Sequence, residues 1–176
     1  MRNFEPWIGA RYWSPGLNGI RVLILGESSY GPAESAYRES TVDDVLNLAQ
    51  SARNPFFTKV YKLVSGLESQ NADRTEFWER VAFYNFIQSL VGNGPRERPT
   101  DAMWLAAREP FLETLSDLRP QVIIALGYTL HRFLPAIPEP IILCVVQHPS
   151  AYGFTYGPSR SSITAALDQA SLPKTA

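Results

Sequence analysis

Cysteine is nearly absent: Cys144 is the only one in 176 residues. One thiol cannot close a disulfide within the chain or build a cysteine-ligated zinc or iron–sulfur site. It stands inside the apolar run 141–146 and reads as a small core residue. Histidine is almost as scarce, with only His131 and His148. Neither sign of charge dominates: 16 Lys and Arg stand against 17 Asp and Glu, a net charge of −1. The chain as a whole exerts no pull on nucleic acid, and only a local basic face would do so. No apolar run is long enough to span a bilayer, and the opening MRNFEPWIG lacks the apolar stretch of a signal peptide. A cytoplasmic protein with no membrane partner is the expectation. There is no internal repeat and no Gly-Lys-Ser/Thr phosphate loop after any apolar run.

What is present fits one globular domain over residues 1–176, with 45% apolar and 19% charged residues. Residues 1–20 carry Phe4, Trp7, Tyr12 and Trp13 among Pro and Gly without a clear period, and read as an irregular arm packed on the domain. Residues 22–25 are a short branched apolar run ending at Gly26, the mark of a buried strand. Ser40 or Thr41 can cap a helix with Asp43 and Asp44 in its first turn. Residues 56–69 have helical spacing, and 75–80 allow one more turn. The aromatic run 81–87 is a second strand with Asn85 near its end. Residues 101–118 are helical, with Pro110 kinking the helix or displacing its start. Residues 121–126 and 141–146 are the third and fourth strands, a short helix spans 128–134, and a last helix runs over 159–172. Residues 173–176 form a frayed tail. Four strands alternating with helices predict an α/β fold, a three-layer α/β/α sandwich around a four-stranded parallel sheet.

In such a sheet, ligands bind beyond the carboxyl ends of the strands. Three polar groups are predicted there: the loop 26–31, GESSYG; Asn85; and the loop 147–150, Gln-His-Pro-Ser. Asn85 offers a donor and an acceptor together, which suits the edge of a base; the competing reading is a buried Asn satisfied by backbone. His148 can donate to an oxygen that gains negative charge. Glu27 can position or deprotonate a water, or else be tied to amides of its own loop. Phe56 or Phe57 can stack on a planar ligand, although the helical apolar stripe claims at least one of them. Gly26-Glu27-Ser28 begins like a nucleophile elbow, but Tyr30 stands where that motif needs Gly. His131 reads as a surface residue.

The ordered set LGESSYG, FYNFIQ, RPQVIIALG and QHPSAYGF, spanning residues 21–154, resembles the uracil-DNA glycosylase superfamily. Residues 81–134 look especially like its iron–sulfur branch, whose second loop position is Glu, as Glu27 is here. The Cys ligands of that branch are missing, so no cluster is expected. A second branch has a catalytic Asp at the third loop position, where this chain has Ser28. The resemblance implies that Asn85 reads the base edge and that His148 stabilises the departing base. It implies water activation by Glu27, with Ser28 as the neighbouring candidate. Tyr30 matches the Tyr that crowds out a thymine methyl, and Phe56 matches the stacking aromatic best, with Phe57 second. Tyr152 falls where such enzymes push a side chain into the duplex.

The function expected from the resemblance is a DNA glycosylase-like hydrolase that cleaves the N-glycosidic bond of a deaminated or damaged base, uracil first. Its partner would be DNA, single- or double-stranded. It needs no metal or cofactor when the leaving base is stabilised as an anion, and a monomer is expected. Phosphate contacts fall to Ser150 in the His148 loop, to Arg160 with Ser159 and Ser161 at the start of the last helix, and to Arg96 and Arg98 in the loop after the second strand. The alternatives are a catalytically silent nucleobase- or DNA-binding module and a small-molecule serine hydrolase using Ser28 and His148.

Overall fold

A computed structural model describes residues 2–52, 54–66, 73–92 and 97–172. The tail expected over 173–176 lies outside the described residues. Five strands form one sheet: β1 (Trp7–Ile8), β2 (Val22–Gly26), β3 (Ala82–Asn85), β4 (Val122–Leu126) and β5 (Ile142–Val146). Their order across the sheet is β1-β3-β2-β4-β5. β3, β2, β4 and β5 run parallel, whereas β1 pairs antiparallel with β3, Trp7 opposite Phe83. This corrects the expected four-stranded parallel sheet to a five-stranded mixed one. The extra strand is two residues long and lies in the Pro- and Gly-punctuated arm, where no alternation could reveal it.

Every residue of β2, β3 and β4 is buried, because helices cover both faces of the sheet. On one face Val22 and Ile24 pack with Val60 and Val64 of α2 (Pro55–Ser65), Phe77 of α3 (Arg74–Glu79) and Ile163 of α7 (Tyr156–Ser171). On the other, Leu23 and Leu25 meet Trp104 of α4 (Asp101–Ala106), Phe111 of α5 (Arg108–Leu118) and Leu130 of α6 (Tyr128–Phe133). Cys144 lies in the first of these cores. Of the arm's aromatics, Trp7 enters one core and donates to the Trp78 carbonyl at 2.9 Å. Tyr12 enters the other and donates to the Leu118 carbonyl at 3.0 Å. The arm thus closes the β3 edge, which would otherwise present unpaired backbone groups.

Local signals explain most boundaries. Asn54 caps α2, its Oδ1 accepting from the amides of Phe56 and Phe57. The helix stops at Gly66, which adopts a left-handed conformation. The long helix expected over 101–118 divides at Ala107, and Pro110 falls in the first turn of α5, where its missing N–H costs nothing. The first helix after β2 is α1 (Ser40–Asp44), which widens into a π-helical turn at Val45–Ser51. Neither Ser40 nor Thr41 caps it: Glu39 is the N-cap, with no side-chain cap bond. Among the described residues, no helix is long and apolar enough to cross a membrane.

Candidate functional site

The four parallel strands all deliver their carboxyl ends to one edge. From β2 the chain crosses to β3 on one side, while β4 and β5 lie on the other, so the order reverses at β2. A crevice opens where connections leave in opposite directions. Gly26 ends β2 in register with Asn85, which ends β3. A Cβ at position 26 would stand 2.3 Å from Asn85 Oδ1, so the close approach requires glycine. Beyond the strands the pairing continues. The amides of Phe86, Ile87 and Val91 donate to the carbonyls of Gly26, Glu27 and Ser29, each at 2.9 Å. The loop after β2 is therefore pinned along its length by the segment after β3.

Asn85 is buried, and its Nδ2 donates to Ser29 Oγ at 2.8 Å. The Ser29 hydroxyl donates in turn to Asp44 Oδ2 at 3.0 Å. Burial pushes the Asp44 carboxyl up, the Ser29 bond pulls it down, and the neighbouring Asp43 raises it. Gln88, also buried, donates to the Asn85 carbonyl and accepts from the amides of Asn3 and Phe4, so the arm braces the site from behind.

Glu27 is 9% exposed, and its Oε1 meets Arg98 Nη1 at 3.5 Å. Burial raises its pKa above the ordinary carboxylate range, against the pull of Arg98. No backbone amide binds this carboxylate among the described residues, so the reading of Glu27 as a loop anchor is not realised. Tyr30, 44% exposed, has its hydroxyl pushed up by burial and by the Glu27 charge.

His148 follows β5. Its Nδ1 accepts from the Ser150 amide at 3.1 Å, and its ring stacks on Phe56 with centroids 5.6 Å apart. Gly127, after β4, lies against its Cβ. Burial lowers the pKa of His148, helped by the charges of Arg98 and Lys59. The imidazole is therefore neutral at pH 7. With Nδ1 accepting, its proton resides on Nε2, a neutral donor. Lys59 Nζ donates to the Pro149 carbonyl at 2.9 Å and fixes the loop to α2.

The sequence-predicted residues divide accordingly. Glu27, Tyr30 and His148 all feel the charge of Arg98, whose side chain is exposed, and Phe56 joins His148. Phe57 belongs to the core, edge-on to Trp78 and Phe83, and has no face to offer a ligand. Ser28 is half-buried, and no hydrogen bond joins it to His148 among the described residues. Ser150 is exposed, and Tyr152 is fully exposed beside it. α7 starts at Tyr156 rather than Ser159, which moves Arg160 and Ser161 to its second turn and buries Ser159. Arg160 Nη2 donates to the Lys62 carbonyl, and its guanidinium lies 4.9 Å from the Tyr156 ring centroid. Arg96 lies outside the described residues. His131 is on the surface, as read. Sequence reasoning missed Ser29 as a partner of Asn85. It placed Asp44 in a first helical turn as a dipole acid, whereas Asp44 ends α1 and faces Ser29. It also passed over Lys59. No spacing in the sequence signals these pairings.

Among the described residues, no group of three or more His, Cys, Asp or Glu is placed to hold a metal. A cavity of about 650 Å³ opens at the opposite end of the sheet, lined by Arg21, Leu115, Arg119, Gln121, Ile141 and others. None of the perturbed groups above lines it. The strand-end edge, where perturbed titratable groups and fixed donors converge, is the candidate site. No protein-family model matches the chain, and a search of curated proteins finds no match.

Proposed function

We propose that this chain is a DNA glycosylase-type hydrolase with the three-layer sandwich of the uracil-DNA glycosylase superfamily, acting on a deaminated base, uracil first. The observation that carries this reading is the pairing of an aligned Asn85 amide with a neutral His148 donor on one sheet edge, beside a buried Glu27. In this reading the base stacks on Phe56 and Asn85 pairs with its edge. As the glycosidic bond breaks, its electron pair passes to the base. The Nε2 proton of His148 stabilises the oxygen that becomes negative, without prior protonation of the imidazole. Glu27 orients a water toward the sugar carbon and accepts its proton. Tyr152 fills the gap left in the duplex, and Arg98 and Ser150 serve the phosphates.

Supporting this reading over a serine hydrolase is the His148 ring itself, whose Nδ1 is occupied by the Ser150 amide while Ser28 makes no bond to it. The deciding measurement is base release from oligonucleotides carrying uracil, hypoxanthine or xanthine, read as alkali-induced cleavage on a denaturing gel. Cleavage of at least one supports the assignment. Tight binding to uracil-containing or abasic DNA without cleavage at stoichiometric protein would replace it with a silent DNA-binding module.

A further inference from the structure

The Asn85 amide is one link in a directed chain. Ser29 carries a single hydroxyl proton, and that proton goes to Asp44 Oδ2 at 3.0 Å. An ionised carboxylate only accepts, so toward Asn85 the Ser29 oxygen can only accept as well. Asn85 must meet it with Nδ2, as it does at 2.8 Å. Flipping the amide would set Oδ1 against Ser29 Oγ, two acceptors facing each other with a bond lost. Gly26 makes room for the amide, because Asn85 Oδ1 occupies the space a Cβ there would enter. Asp44 ends α1 where the helix widens into a π turn, an irregularity frequent at functional sites.

The direction of an amide decides which base edges it accepts. Uracil presents a ring N–H beside a carbonyl oxygen. Cytosine presents a ring nitrogen acceptor beside an amino donor, the reverse pattern. For a base held in one pose, an amide free to flip pairs with both, and an amide locked in one direction pairs with one. We propose that Asp44 and Ser29 are specificity-determining positioning residues, which fix the direction of Asn85 so that the site takes a base with an N–H beside C=O and rejects the reversed edge. This inference rests on the base-excision reading and deepens it.

The test uses the full chain and two single-stranded oligonucleotides that differ by uracil or cytosine at one position. Their relative affinities are measured for wild type, Asp44→Asn, Ser29→Ala and Ser29→Thr, with melting temperatures recorded for each. Asp44→Asn keeps the shape of the side chain but lets the chain run in either direction, since the new amide can donate to Ser29. The uracil-to-cytosine preference should fall by roughly tenfold or more, the scale of one hydrogen bond, with cytosine binding rising in absolute terms. A gain for cytosine is an effect that damaged packing cannot produce. Ser29→Ala should also lose preference, and Ser29→Thr, which keeps the hydroxyl, should retain it. If the variants weaken for both bases in parallel while wild type discriminates, this inference is overturned and the base-excision reading survives. If wild type shows no preference for uracil over cytosine, this inference is overturned as well, and the base-release assay on the other deaminated bases decides the base-excision reading.

Discussion

Glu27 holds its carboxylate at 9% exposure, with Arg98 Nη1 3.5 Å away, and burial raises its pKa. A raised folded-state pKa means that the folded protein prefers the protonated form. The stability this confers is complete below the ordinary Glu range and is lost as pH rises through the raised value. Gln mimics the protonated acid. Glu27→Gln should therefore raise the melting temperature at pH 7, with the gain vanishing below pH 4, while lowering base release by about 10²–10⁴-fold. A change that stabilises the fold while slowing turnover is what a buried functional acid gives. Ser28→Ala should cost far less. His148 shifts the other way: its lowered pKa favours the neutral ring, so its contribution to stability holds above pH 6.5 and is lost as pH falls through the depressed value. Turnover should be level near neutrality and decline on the acid side. That decline reflects a Glu27 carboxyl raised above its ordinary value and a His148 ring lowered below its own. A pH–rate profile of Glu27→Gln should keep only the His148 limb.

Among the elements, β2 and β3 carry the site through their register, Gly26 opposite Asn85. Gly26→Ala places a methyl against Asn85 Oδ1, and the amide must move. Binding of uracil-containing oligonucleotide should weaken by about 1–3 kcal/mol, the cost of unpaired polar groups, with far-UV circular dichroism unchanged. The arm is a separate matter of stability. Trp7 fills one core and bonds the Trp78 carbonyl, so Trp7→Ala should cost about 3–5 kcal/mol in urea denaturation. The strands and most helices were legible because each is a short apolar run or a helical stripe bounded by Gly, Pro or a cap. β1 was not, since two residues carry no period and the strand exists only because β3 needs an edge partner. Phe56 and Phe57 show the same limit. Both follow the same cap, but Phe57 points to Trp78 and Phe83 while Phe56 points to His148, and adjacency in sequence cannot tell them apart.

For the whole molecule, a net charge of −1 means that the DNA binding required by the proposed function would rest on local groups. Arg98 is exposed and borders Glu27, whereas Arg160 is drawn back to the Lys62 carbonyl and the Tyr156 ring. Arg98→Ala should reduce the logarithmic salt dependence of DNA binding by about one, and Arg160→Ala should leave it unchanged. Fluorescence anisotropy across a salt series distinguishes them. Arg98→Ala also removes the cation that lowers the Glu27 pKa, so its acid limb should shift upward.

The sequence by itself determined the α/β class, the strand ends at which polar residues collect, and the candidates Glu27, Asn85 and His148. These follow from local rules: branched apolar runs form buried strands, and glycine ends them beside polar loops. The tertiary structure alone decided which partners those candidates have. Ser29 and Asp44 lie 15 residues apart, Asn85 lies 56 from Ser29, and the Arg98–Glu27 pair spans 71. Contacts across such separations depend on how the helices and loops pack around the sheet, and no local pattern encodes their distances. The sign of each pKa shift is likewise a property of burial, which exists only once the sheet edge has closed around the side chain.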